Sequence, residues 1–355
     1  MDPVRLLLIS STAVLSLLLL IEWNQYSDSH QKQQSDLYAA AVLERPVTEE
    51  KSAFSAIEEG IPSVSAPVTA LTEARDQTGS FSLNTDSVNL TISMDGGDIT
   101  GASLPKFPVR LDTPDQPFRL LENNALRTYV AQTGLIGPDG IDASGDRARY
   151  ASQGIAVGAD GSHTLTLEWL GNDALGLQVF KRVTAYDNQY VVDVEFDVRN
   201  NSRQSVDVTS FAQLKRDNSE APDANVGFGV SPYLGAALTQ PEERYTKLKF
   251  SDLQDEPFSK NLPAGWVAIL QHYFVSAWIP SQTESHDFFA SRLSNGDNVI
   301  GYKNAGVRID AGDQHTISQR LYVGPKDQVV LSDLAENLDL VIDYGWLWWL
   351  AQPLF

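Results

Sequence analysis

From about Ser80 to Val323 apolar and polar residues alternate with a two-residue rhythm, which predicts strands. The sharpest instance is Tyr190–Val198. Tyr190, Val192, Val194, Phe196 and Val198 fall on one face, and Asp193, Glu195 and Asp197 on the other. That pattern describes a half-buried antiparallel strand with its acids in water. Val88, Leu90, Ile92 and Met94 alternate in the same way before a tight turn at Asp95-Gly96-Gly97-Asp98. Asn200-Asn201 closes the sharpest strand, and Val206–Leu214 reads as its return. Further strands are expected at Thr164–Leu170, Leu177–Ala185, Arg244–Phe250, Trp266–Ile279, Asp287–Leu293, Val299–Lys303 and His315–Val323. Asn295-Gly296-Asp297 and Ala311-Gly312-Asp313 supply turns between them. This many strands on hairpin-length connections, with little helix and no repeat period, predict a mainly β fold built as a large antiparallel sandwich.

The two ends follow other patterns. Leu6–Ile21 is 16 residues without a charge, carrying Leu6, Leu7, Leu8, Ile9, Leu17, Leu18, Leu19, Leu20 and Ile21. As a helix it spans roughly 24 Å, and with Val4 before it and Trp23 and Tyr26 at headgroup depth it is expected to cross a bilayer. Arg5 precedes the run while Glu22 and Asp28 follow it, which places the N-terminus in the cytoplasm and the remainder across the membrane. No small-residue cleavage site follows the run, so an uncleaved anchor over residues 1–26 is expected. Residues 22–78 carry ten acidic and four basic residues with no lasting apolar period, and 27–78 read as a flexible acidic tether. Beyond the sandwich, assigned to 79–326, Val330, Leu331, Leu334 and Leu338 predict a helix over 327–342 that packs on the sandwich edge. Tyr344-Gly345-Trp346-Leu347-Trp348-Trp349-Leu350 then concentrates three of the chain's seven tryptophans in a stretch without charge. Residues 343–355 are therefore expected to begin a helix lying in the membrane interface, with Trp346, Trp348 and Trp349 in the headgroup layer beside Trp23.

Charge and chemistry narrow the function. With 26 basic and 46 acidic residues the net charge is −20, a surface that repels phosphate backbones, so no nucleic-acid partner is expected. There are no cysteines, which removes disulfides, thiol nucleophiles and cysteine-ligated metals. His30, His163, His272, His286 and His315 show no metal-ligand spacing, and no phosphate-binding loop or nucleophile elbow occurs. Asp193, Glu195 and Asp197 alternate with apolar residues as a solvated strand face does. His272 falls with Leu270 and Phe274 on one face of an expected strand, the position of a hydrogen-bonded core histidine. No catalytic, cofactor-binding or metal residue is assigned, and no enzyme activity or cofactor is expected.

Several segments together resemble the Gram-negative YidC membrane protein insertases, of the Oxa-type insertase family. They are Met1-Asp2-Pro3-Val4-Arg5 before the apolar run, Gly96-Gly97-Asp98-Ile99 with Leu104 and Pro105, and Gly265-Trp266-Val267-Ala268. Tyr273-Phe274, Ala277-Trp278-Ile279-Pro280 and Tyr322-Val323-Gly324-Pro325-Lys326 continue the match. Asp343-Tyr344-Gly345-Trp346-Leu347-Trp348 and Gln352-Pro353-Leu354-Phe355 are its most specific parts. The resemblance implies a transmembrane anchor, a periplasmic super-sandwich similar to the mutarotase fold, and an interface helix leading to five more membrane helices. It also implies a bacterial inner-membrane protein that integrates and folds other membrane proteins, with nascent chains and the Sec translocon and its accessory subunits as partners. The sequence ends at Phe355, before the family's groove arginine, so this chain alone is expected to lack insertion activity. A carbohydrate-binding or mutarotase-like periplasmic protein is the alternative.

Overall fold

The computed structural model describes residues 79–110, 112–142, 146–171, 176–220 and 233–342. All of them belong to one of the chain's two compact units, Phe54–Phe355; the other, Met1–Ala53, lies outside the described residues. The expected anchor, tether and interface segment, with Leu6–Ile21, Trp23, Trp346, Trp348 and Trp349, lie outside them too. Among the described residues no helix is long and apolar enough to cross a membrane.

Nineteen strands form among the described residues. The first five are β1 (Ser80–Asn84), β2 (Asn89–Ser93), β3 (Ile99–Pro108), β4 (Pro117–Asn123) and β5 (Thr128–Ile136). A meander follows, of β6 (Tyr150–Val157), β7 (Ser162–Trp169), β8 (Leu177–Tyr186) and β9 (Val191–Asn200), with β10 (Val206–Arg216) returning from it. Next come β11 (Gly235–Leu238), β12 (Thr246–Leu248), β13 (Phe258–Leu262), β14 (Val267–Leu270) and β15 (Phe274–Ile279). The last four are β16 (His286–Arg292), β17 (Asn298–Lys303), β18 (Val307–Ile309) and β19 (Gln314–Pro325).

They pair into two antiparallel sheets. The first runs β1-β2-β3-β4-β5-β10-β17-β16-β13, with β18 also on β10; the second runs β12-β11-β14-β15-β19-β9-β8-β7-β6. Leu83, Leu90, Ile92, Leu104 and Phe211–Leu214 side chains from one sheet, and Leu165, Val183, Val194, Phe196 and Leu321 from the other, are sealed in the interior. Each aliphatic side chain so buried contributes about 1.5–3 kcal/mol. The expected large antiparallel sandwich is present.

The outer face of the second sheet is covered as well. Helix α1 (Gln328–Leu334) and a 3-10 turn (Leu338–Val341) press Leu331, Ala335, Leu338 and Val341 onto Trp266, Ala268, Leu270, Val275 and Tyr322. This differs from the expected single helix on the sandwich edge. Ala335 is extended and Asn337 takes a left-handed φ of 64°, a conformation asparagine tolerates better than most residues. The break rotates Leu338 and Val341 onto the sheet. Trp266–Ile279, expected as one strand, is a hairpin: Gln271 N–H donates to Phe274 O at 3.0 Å, and His272 sits at its tip stacked on Tyr273. Of the expected Arg244–Phe250, only β12 pairs.

Candidate functional site

Charged groups concentrate in the centre of the sandwich. The turn between β2 and β3 brings Gly96 and Gly97 to φ of 77° and 60°, values that favour glycine. A Cβ on Gly96 would also collide with the Arg147 guanidinium, and one on Gly97 with the Lys181 stem. The two cations therefore pack directly on this turn. Lys181 reaches from β8 across the core, donating to Gly96 O at 2.8 Å and to Thr133 O of β5 at 3.2 Å. Arg147 donates to Thr133 O at 2.7 Å, pairs with Asp98, and meets Asp142 at 3.0 Å. Asp142 also accepts from Leu135 N–H at 2.9 Å and Ala148 N–H at 3.0 Å, and Asp98 from Gln132 at 2.8 Å.

Two carboxylates facing two cations leave little net charge in a place where a lone ion costs several kcal/mol. Burial brings the Lys181 ammonium down to about 7, against the pull of Asp98 upward. Burial likewise pushes the neighbouring Tyr150 hydroxyl well up. A near-neutral lysine can in principle act as a nucleophile. Lys181 is 1% exposed, its two hydrogen-bond acceptors are main-chain carbonyls and its ammonium lies 5.1 Å from the Phe196 ring centre, so its chemistry here is cohesion. Two further polar ties cross between the sheets: Trp278 Nε1–H donates to Gln213 O at 3.0 Å, and Gln319 to Phe211 O at 3.1 Å.

A second cationic cluster lies where β4, β5 and β10 meet the β14–β15 hairpin. The Arg127 and Arg216 guanidinium carbons stand 5.7 and 4.8 Å from the Tyr129 ring centre. With its amide oriented for hydrogen bonding, Gln271 accepts from both, at 2.9 and 2.8 Å. The arginines thereby anchor the hairpin tip to the other sheet.

The strand acids differ in part from a fully solvated face. Asp193 accepts from Arg320 at 2.8 Å and from Tyr186 at 2.9 Å, and Glu195 accepts from Arg182 at 3.3 Å. Asp197 is largely buried between Arg199 and Arg182, at 3.3 and 3.6 Å. The pairs of Asp193 with Arg320 and of Glu195 and Asp197 with Arg182 cross between strands and brace the sheet. The four described histidines are dispersed, and His30 lies outside the described residues. His286, not His272, is the buried one, its Nε2 2.8 Å from Ser281 O; His163 lies 3.5 Å from Asp187; His315 is exposed. A shallow polar groove of about 490 Å³ is lined by Gln240, Glu242, Glu243, Lys260, Asn261 and Leu262. Within it Lys260 donates to Gln240 at 2.7 Å.

The family model described as the YidC periplasmic domain matches residues 80–355. A protein named membrane protein insertase YidC from Marinomonas sp. (strain MWYL1) is 43% identical over 276 residues, covering 77% of this chain and 50% of that protein. One of the same name from Pseudomonas entomophila is 36% identical over 371 residues, covering 100% of this chain and 64% of that protein. The chain thus spans between half and somewhat under two thirds of these relatives' length. Among solved structures, a galactose mutarotase related enzyme from Lactobacillus acidophilus aligns with a TM-score of 0.46 at 10% identity, covering 69% of this chain and 97% of that one.

Proposed function

Because the chain belongs to the family of YidC membrane protein insertases, we propose that it forms the anchor and periplasmic domain of a bacterial inner-membrane insertase and chaperone. In this reading the protein helps integrate and fold inner-membrane proteins, alone or together with the Sec translocon and its accessory subunits. The observation that carries it is the family match from residue 80 to 355, which takes in both the sandwich and the tryptophan-rich segment of the sequence. The buried charges fit a scaffold with a docking role and no bond-making chemistry, since Lys181, Arg147, Asp98 and Asp142 are spent on joining the sheets. Leu6–Ile21 serves as the transmembrane anchor with residues 1–5 cytoplasmic, and Trp23, Trp346, Trp348 and Trp349 sit at the membrane interface. The sugar-handling alternative is not favoured by the relatives.

The test places a photo-crosslinking residue at Leu17 and stalls ribosomes on a nascent inner-membrane protein. A crosslink between the two, together with digestion of the sandwich by protease added outside spheroplasts, is the expected result. Absence of any nascent-chain adduct, or protection of the sandwich with exposure of residues 1–5, would overturn the reading.

A further inference from the structure

Among the described residues β6 ends the second sheet, hydrogen-bonded to β7 along one side and on the other only at its start, where Tyr150 N–H donates to Met94 O at 2.9 Å. Natural edge strands are blunted by charge, proline or extreme shortness. The other edge of this sheet, β12, is three residues long and carries Lys247. β6 has eight residues, Tyr150-Ala151-Ser152-Gln153-Gly154-Ile155-Ala156-Val157, with no charge and no proline. Its irregularity is confined to Ser152–Gly154, and Gly154 to Val157 stay in regular register with Thr166 to His163.

The hairpin fixes which backbone groups are free. Gly158 N–H donates to Ser162 O at 2.8 Å, so by antiparallel alternation Ala156 exchanges bonds with β7, while Gly154 N–H, at the register shift, donates to Ser152 Oγ at 3.0 Å. Ile155 and Val157 consequently turn both N–H and C=O outward. Their side chains lie on the core face of the sheet. Val194, Val183, Leu165 and Ile155 form one row across β9, β8, β7 and β6. Exposure along that row is 1%, 0%, 0% and then 43%; Val157, in the adjacent row, is 67% exposed. The core face runs on past its cover. β1, which packs on β7, edges the opposite sheet and presents Phe81, 38% exposed, on the same face as the buried Leu83.

We propose that this free edge, centred on Ile155 and Val157, accepts an extended segment of a partner polypeptide as an added strand. The segment carries β-branched or aromatic side chains at alternate positions, which extend the apolar rows, and is neutral or cationic at its ends. The first property follows from the rows, the second from Asp160 in the β6–β7 turn and Glu168 toward the far end of β7. A second copy of this chain fits poorly. Pairing over four residues buries far less than the roughly 1,200 Å² of a stable interface, and each copy carries a net charge of −20. The inference rests on the strand's own chemistry, whichever protein supplies the segment.

The experiment uses residues 1–355 in detergent micelles and three labelled peptides of alternating valine and threonine. One has lysines at both ends, one has glutamates there, and one has lysines with a central proline. Saturable binding of the lysine peptide is expected, at least about tenfold tighter than either other, with slowed hydrogen exchange at the Ile155 and Val157 amides. Ile155→Pro removes an outward donor and no ladder bond, and should weaken binding by about tenfold or more. Val157→Lys should do the same, and decides the matter if Ile155→Pro lowers the thermal midpoint. Equal binding by wild type and Val157→Lys, or equal binding of the acidic and basic peptides, would overturn the proposal. So would self-association in sedimentation that Val157→Lys abolishes, which would assign the edge to a second copy.

Discussion

Lys181 occupies a position where the alternation of β8 asks for an aliphatic side chain, since Leu177, Val179, Val183 and Ala185 share its face. That break in the pattern is visible in the sequence, and it is the one trace there of the polar centre. The charged groups around it cannot be read the same way, because Asp98, Asp142 and Arg147 come to its vicinity from turns far away in the chain. The buried ammonium releases its proton at about 7, whereas in the unfolded chain it holds it to the ordinary value of 10.5. Between those values the unfolded state binds more protons, so Lys181 makes stability rise with pH from 7 upward and adds no slope below 7. Urea unfolding of wild type and Lys181→Met should therefore diverge between pH 7 and pH 9, with wild type gaining relative to the variant. A difference independent of pH would mean that the lysine keeps an ordinary affinity for its proton in the fold.

β7, β8, β9, β10, β16, β17 and β19 fall within a few residues of their expected bounds, whereas the three-residue β18 was not expected. Two neighbouring strands covered on both faces were not told apart. β14 and β15 read as one long apolar run because α1 and the 3-10 turn hide their outer side, and nothing in such a run marks where it turns. β6 was missed for the opposite reason, having five consecutive exposed residues and no alternation to see. Helix α1 is only seven residues long, too short to persist without its contacts. Its start rests on Asp327, whose carboxylate accepts from Val329 and Val330 N–H at 3.0 and 3.1 Å. Asp327→Ala should cost about 0.5–2 kcal/mol, and Leu331→Ala about 2–5 kcal/mol by leaving a cavity over Trp266 and Tyr322. Chemical denaturation measures both; a Leu331→Ala loss no larger than that of the cap would show that α1 is dispensable packing.

At the scale of the whole molecule the sandwich class and the family were both readable, the first from alternation and the second from short motifs at Gly96, Gly265, Tyr322 and Tyr344. The extent of the folding unit was not. The strand pattern alone places its end near residue 325, yet Leu331, Leu338 and Val341 are fully buried and Trp266 Nε1–H donates to Glu336 O at 3.1 Å. A chain of residues 79–342 should unfold cooperatively, while one ending at 325 should melt lower by roughly 10 °C or more, or fail to fold. Equal midpoints in scanning calorimetry would show that the outer layer is ornamental. The three polar ties through the core, from Lys181, Trp278 and Gln319, carry a mechanical consequence. Layers joined only by aliphatic side chains can slide by small repackings, which is how shear motions proceed. Here any sliding would strip buried carbonyls of their donors at three separate points, each at the cost of an unmet hydrogen bond. The body is thus stiff against shear, and a push on one sheet is passed to residue 342 as rotation of the whole, with little of the displacement absorbed on the way.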